Sequence, residues 1–163
     1  MKNIKTIVIL FNLVCLIGYI NWATFHKEKT ISEGTFMLFE LAPKDPRSLM
    51  QGDYMDLRYA IANQGRTKNK LPKFGYGVVT LDGDKIVKLI RYQEEKEPLN
   101  DGEFLIKYAI HQRGVSFGAE SYFFEEGTAE RFEEAKYGGL RVDDQGKSIL
   151  IGLYDENHDF IEL

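Results

Sequence analysis

The sequence predicts a mainly β (α+β) chain: an N-terminal transmembrane helix followed by one antiparallel β-rich domain with a single short surface helix. Three observations carry this. Residues Thr6 to Phe25 (TIVILFNLVCLIGYINWATF) hold no charged side chain. Later runs such as Glu103 to Arg113 (EFLIKYAIHQR) alternate apolar and polar residues, the period of a half-buried strand. Turn signals, Asp82-Gly83-Asp84 and Asp144-Gln145-Gly146 among them, separate such runs at short intervals.

The uncharged run is 20 residues long. At a helical rise of about 1.5 Å per residue it covers roughly 30 Å, the thickness of a bilayer's hydrocarbon core. It is longer than the h-region of a cleavable signal peptide, and no small-x-small site follows before His26-Lys27-Glu28-Lys29. An uncleaved signal anchor is therefore expected, with Tyr19 and Trp22 at its outer end as an interfacial aromatic pair. Residues 1–5 form a tail, 6–25 the anchor, 26–34 a polar link and 35–163 the β-rich domain. The short tail carries Lys2 and Lys5, so the expected placement is single-pass, with the tail in the cytoplasm and the C-terminal domain outside it.

Residues 26–163 hold all 25 acidic side chains and 19 of the 21 basic ones, a formal charge of −6, which argues against a nucleic-acid partner. Their 138 residues suffice for one domain with its own core. Cys15 is the only cysteine and lies in the anchor, so the outer domain has no disulfide, no thiolate nucleophile and no cysteine zinc site.

Thr35 to Leu41 reads as a buried first strand, Asp53 to Ile61 as the second and Phe74 to Leu81 as the third. Asp82-Gly83-Asp84 then turns the chain into Lys85 to Tyr92, because Asp-Gly readily takes the positive φ of tight hairpins. Glu103 to Arg113 follows, with Phe104, Ile106, Tyr108 and Ile110 on one face. Thr128 to Tyr137 is the expected helix: Thr128 as N-cap, Glu130 in the first turn, Gly138-Gly139 as the stop, and a narrow stripe of Ala129, Phe132 and Ala135. Ser148 to Tyr154 alternates again, and Asp159 to Leu163 is expected to close the sheet.

The stretch GDYMDLRY, residues 52–59, is the densest motif. Alternation from Asp53 puts Asp53, Met55, Leu57, Tyr59 and Ile61 on the core face and Tyr54, Asp56, Arg58 and Ala60 on the other. Pro43 and Pro46 give a rigid approach, and Gly52 permits a sharp turn into the strand. Asp53 heads a core-facing row and must be hydrogen-bonded if buried, with turn amides between residues 46 and 51, or Arg47, as its expected donors. The motif thus builds structure first, and by doing so holds Asp45, Arg47 and Tyr54 at a candidate binding edge.

Gly52, Asp53, Tyr54, Leu57 and Tyr59 match the signature of the bacterial GDYxxLxY family, and Asp45-Pro46-Arg47-Ser48-Leu49 is similar to the family's approach to it. ESYFFEEG, residues 120–127, resembles a second family segment. The resemblance implies a small protein anchored in the bacterial inner membrane. Genes for multi-spanning membrane proteins often adjoin those of the family, which implies such a protein as a partner. Segment 46–53 is also similar to the Pro to Gly-Asp segment of type I signal peptidases. Those enzymes place their nucleophilic serine just before that proline, where this chain has Leu41-Ala42-Pro43-Lys44.

Other chemistry is thin. His26, His111 and His158 read as solvated, and Asp155-Glu156-Asn157-His158-Asp159 starts with calcium-loop spacing but has Phe160 where the glycine belongs. No metal and no cofactor is expected. The basic loop Arg66, Lys68, Lys70 and Lys73 reads as a solvated connection. Glu120, Glu125 and Glu126 flank an aromatic run, which makes Glu120 and Tyr122 candidates for a partner edge, although Tyr122 and Phe124 also suit a core. The expected role is a binding or accessory subunit for an integral-membrane partner. The alternative is a membrane-tethered hydrolase of the Ser/Lys peptidase kind with a polar cleft near Asp53.

Overall fold

The computed structural model describes residues 2–42, 54–64, 71–112, 114–125 and 127–162. Helix α1 (Lys2–Glu33) is a single 32-residue element. It continues through residues 26–33, where a polar link was expected. The reason is local: no glycine or proline lies between Gly18 and Gly34, and the helix-forming pair Lys29 and Glu33 approaches to 3.7 Å at (i, i+4) spacing.

Gly34 then ends the helix. Its N–H donates to the Thr30 carbonyl oxygen at 3.0 Å, and its own carbonyl accepts from Arg141 Nη1 at 2.8 Å. A Cβ here would collide with the Thr30 carbonyl oxygen and press on the Val142 backbone. Only glycine lets helix and sheet approach this closely. Strand β1 (Thr35–Glu40) starts at the next residue, so a single residue separates helix from sheet.

Three antiparallel assemblies follow. Strand β1 pairs with β8 (Tyr137–Val142), which pairs with β9 (Ser148–Tyr154). A second sheet has the order β4 (Val87–Gln93), β3 (Phe74–Leu81), β5 (Glu103–His111), β6 (Gly114–Ser116). Strands β2 (Tyr54–Asp56) and β7 (Ser121–Phe123) form a pair of their own. The first two sheets are stitched together by Leu38 N–H to the Lys85 carbonyl at 2.9 Å and Lys107 N–H to the Gly146 carbonyl at 2.7 Å. Their inner faces meet in one core, with Met37, Phe39, Leu140 and Val142 from one sheet and Val79, Val87, Ile106 and Tyr108 from the other. A smaller cluster of Met55, Leu57, Phe132 and Leu153 lies beneath the β2–β7 pair.

Three elements differ from the sequence reading. The helix expected over Thr128–Tyr137 is only a 3-10 turn, Ala129–Phe132. Thr128 does not cap it: its hydroxyl donates backwards to the Glu125 carbonyl at 2.7 Å. Phe132 is buried as expected, but Tyr137 already belongs to β8. Gly138 and Gly139 stop no helix. They sit within that strand where rings lie on the backbone, since a Cβ on Gly138 would come 3.1 Å from the Tyr59 ring and one on Gly139 would collide with Tyr154.

The strand expected over residues 53–61 is regular only at Tyr54–Asp56; the chain makes one further bridge, Tyr59 to Leu41, and then enters helix α2 (Ala60–Gln64). The inside-outside alternation nevertheless persists, because Met55, Leu57, Tyr59 and Ile61 are buried while Arg58 is exposed. At the C-terminus, Asp159 to Leu163 adds a bridge from Phe160 to Tyr154 and a bond from Ile161 N–H to the Leu153 carbonyl, short of a full strand.

One ion pair fastens the loop between β4 and β5. Arg91 Nη1 and Nη2 donate to the two Glu103 carboxylate oxygens at 2.7 and 2.8 Å, and Nη2 also reaches the Pro98 carbonyl at 2.8 Å. The Arg91 hydrogen bonds, aided by the Asn100 N–H, hold the Glu103 carboxyl down at about 2. A lowered carboxyl stabilises the fold fully above its unfolded value of about 4.3, and loses that contribution as the pH falls toward 2. The urea midpoint of the full chain in detergent should therefore fall between about pH 4.5 and 2, and Glu103→Gln should flatten that slope. An unchanged slope in the variant would remove this pair as the cause.

Candidate functional site

The two segments singled out in the sequence meet in space. Strands β2 and β7 run antiparallel, with Tyr54 opposite Phe123, Met55 opposite Tyr122 and Asp56 opposite Ser121. The pairing carries on past Asp56, where Leu57 N–H donates to the Glu120 carbonyl at 2.6 Å. Met55 and Leu57 point into the smaller cluster, and Tyr122 packs edge-on against Phe132 with ring centroids 5.1 Å apart. Tyr122, a candidate for a partner edge, is thus half-buried packing.

Tyr59 is 1% exposed. Its ring stands 5.4 Å from Phe39 and 6.2 Å from Phe117, centroid to centroid, and lies over Gly138. Its hydroxyl donates to the Ala119 carbonyl. Burial, with the nearby Glu120 charge adding to it, pushes the phenol well above its ordinary range, so it remains a donor at any working pH.

Glu120 is the other half of this arrangement. Its carboxylate accepts from the Ser116 hydroxyl at 2.9 Å, from Gly118 N–H at 3.0 Å and from Phe117 N–H. It closes a turn in which Gly118 takes φ +82°, a conformation that glycine adopts at no steric cost. The Ser148 hydroxyl grips the same turn through the Phe117 carbonyl at 2.7 Å. The carboxylate read as a partner-edge group is therefore engaged within its own turn.

Above this turn, between β2, α2 and β6, lies an open cavity of about 610 Å³. Arg58, Asn63, His111, Gln112, Ser116 and Ser121 bring polar groups to its wall, and Tyr59, Ala62 and Val115 supply apolar ones. Arg58 and His111 are exposed at its rim, and Asp56 and Glu120 also line it, so the cavity offers a cation, an imidazole, amide groups and carboxylates to a polar occupant. Beside it, Phe123 on the short strand β7 is 72% exposed. Among the described residues, no group of three His, Cys, Asp or Glu side chains is placed to hold a metal ion.

Of the sequence candidates, Asp45, Arg47, Gly52 and Asp53 lie outside the described residues, and Tyr54 is described by its backbone alone. Leu57 and Tyr59 serve the core, as expected. Arg58 was read only as an outward position and His111 only as solvated. Their meeting needs the β5–β6 hairpin to fold back beside α2, a contact that no local pattern encodes.

The family model of the GDYXXLXY protein matches residues 16–153, most of the chain. The chain belongs to the GDYXXLXY family. No curated protein and no solved structure matches it. The match begins inside α1 and ends in β9, so it takes in the C-terminal half of the apolar helix together with nearly all of the β domain. In this GDYXXLXY protein the final tyrosine of the signature is a core pillar, and the N–H of its leucine extends the pairing of β2 with β7 to Glu120.

Removing the Tyr59 hydroxyl leaves a buried carbonyl without its donor. Tyr59→Phe should destabilise the domain by about 1–3 kcal/mol in a urea titration of the full chain, and Glu120→Ala by a similar amount through its turn amides. Arg58→Ala, at the cavity rim, should stay within about 0.5 kcal/mol of wild type. A Tyr59→Phe protein as stable as wild type would contradict the pillar role.

Proposed function

We propose that this GDYXXLXY protein is an accessory subunit of the bacterial inner membrane, single-pass, whose outer domain binds an integral-membrane partner. The observation that carries this reading is α1. From Ile4 to Glu33 the helix is long and apolar enough to cross a bilayer, and its most apolar stretch is not buried against the domain. An apolar surface of that length needs lipid or another protein around it. Because only Gly34 separates α1 from β1, a domain on such a helix is held close to the membrane surface, where a partner's loops are within reach.

The open cavity supports binding over hydrolysis. A hydrolase nucleophile needs a hydroxyl beside a base and free of other duties. The Ser/Lys alternative needs a lysine amine beside the serine, and none of the described residues lining the cavity is a lysine; the Ser116 and Ser148 hydroxyls hold the 116–120 turn. The cavity's polar rim and the exposed Phe123 suit contact with a mixed polar and apolar segment.

The test is purification of the tagged full-length chain from its native membrane in mild detergent, with mass spectrometry of what accompanies it. The expected result is a multi-spanning membrane protein in comparable amount, whose recovery drops when Arg58 and Phe123 are both replaced by alanine. A chain that purifies with no membrane protein at comparable amount would overturn the accessory role and turn attention to hydrolase assays.

A further inference from the structure

The exposed face of α1 is not uniform. Asn12, Cys15, Tyr19, Trp22 and His26 succeed one another at steps of 3, 4, 3 and 4 residues, which places them on one line along the helix. The same series continues to Lys29 and Glu33, which pair with each other at 3.7 Å. Alternating steps of three and four make the 3.5-residue repeat of two helices wrapped around each other with a left-handed twist. Between these positions the helix is mostly aliphatic: Leu13, Val14, Leu16, Ile17 and Ile20.

The line is open throughout. Tyr19 is 65% and Trp22 58% exposed, and Asn12, Cys15 and His26 are exposed as well. The sheet buries Thr30 but leaves the Lys29 and Glu33 side chains 59% and 69% exposed. Aromatic rings form a ledge along it, with Trp22 4.3 Å from His26 and 6.3 Å from Tyr19 between ring centroids.

Asn12 is the decisive residue. It stands six residues inside the span, about 9 Å deep at the helical rise. Its own helix offers its amide only the Val8 carbonyl at 3.4 Å, whereas Asn21, off the line, reaches the Ile17 carbonyl at 2.9 Å. An amide in hydrocarbon is costly unless it is hydrogen-bonded, so polar side chains inside membranes face other helices.

We propose that the occupant of this line is a second copy of the chain, in a parallel pair of α1 helices whose two Asn12 amides hydrogen-bond to each other. Two copies inserted in the same direction bring Asn12 to the same depth. An amide carries both donor and acceptor, so a symmetric pair satisfies both. The Lys29 and Glu33 charges cancel within each helix and leave no net charge at the outer end to hold the copies apart. The pairing rests on α1 lying in a membrane, as proposed above, and is independent of the accessory role.

The chain carries its own reporter, because Cys15 is its only cysteine and lies on the line. Full-length protein in native membranes is treated with copper phenanthroline, and dioxygen takes up the two electrons and two protons that a pair of thiols releases on forming a disulfide. In a Cys15→Ala background, Tyr19→Cys and Trp22→Cys are compared with Leu13→Cys and Ile17→Cys on the opposite face. Only Cα pairs within ~7 Å can be bridged, so positions on the line should yield dimers of the chain at about ten times the level of those off it. Asn12→Leu should cut the yield at Cys15 severalfold.

Equal yields around the helix, or none on the line, overturn the pairing. So does a cross-link from Cys15 to a different membrane protein, which would give the line to that partner while supporting the accessory role. Release of the chain by alkaline carbonate would overturn the membrane placement itself.

Discussion

The hydroxyl of Tyr59, donated to the Ala119 carbonyl, is the contact on which the domain's second half depends. The ring above it touches three parts of the fold at once: Phe39 of β1, Phe117 of the turn and Gly138 of β8. A phenol buried this deeply is favourable only because its one polar atom is satisfied, and the atom that satisfies it belongs to the 116–120 turn. That turn is held in place by the Glu120 carboxylate and the Ser148 hydroxyl. Its position in turn sets where β7 starts and so where β2 finds a partner. A signature that spans a few residues therefore organises strands far apart in the chain.

Where a strand's own residues decide its fate, the sequence was a good guide. Phe74–Leu81 and Ser148–Tyr154 appear with the expected bounds, since alternation and flanking turn residues are local properties. The buried row Met55, Leu57, Tyr59 and Ile61 was also legible, because alternation survives even where regular pairing stops after Asp56. The failures have two different causes. Gly138-Gly139 fits a helix stop as well as a place where a ring meets a strand, and only Tyr59 and Tyr154, remote in sequence, decide between them. The stretch 26–33 reads as a link because its residues are polar, yet it is helical, since good helix formers there extend a helix already nucleated.

The candidate site was less legible than the fold. The sequence identified the two segments that build it, but not that they pair with each other; Tyr122 packs on the smaller core, the alternative its sequence context also offers, while the Glu120 carboxylate, a candidate for a partner edge, closes its own turn. The polar rim instead comes from Arg58 and His111, one on an outward position of the signature and one at the end of β5. Neither carries a distinctive spacing, and only closure of the β5–β6 hairpin beside α2 gives them a common cavity.

The missing link between α1 and β1 has a mechanical consequence. With eight helical residues beyond Phe25 and then a single glycine, the domain stands about 12 Å above the hydrocarbon in the proposed placement, just past the headgroups. That height is close to the ~8 Å screening length of physiological salt, so most of the domain's net negative charge is masked from anionic lipids. There is no slack in such a mount. Tilting or turning the shaft swings the whole domain with it, and whatever grips the helix within the bilayer also chooses the direction in which the cavity looks.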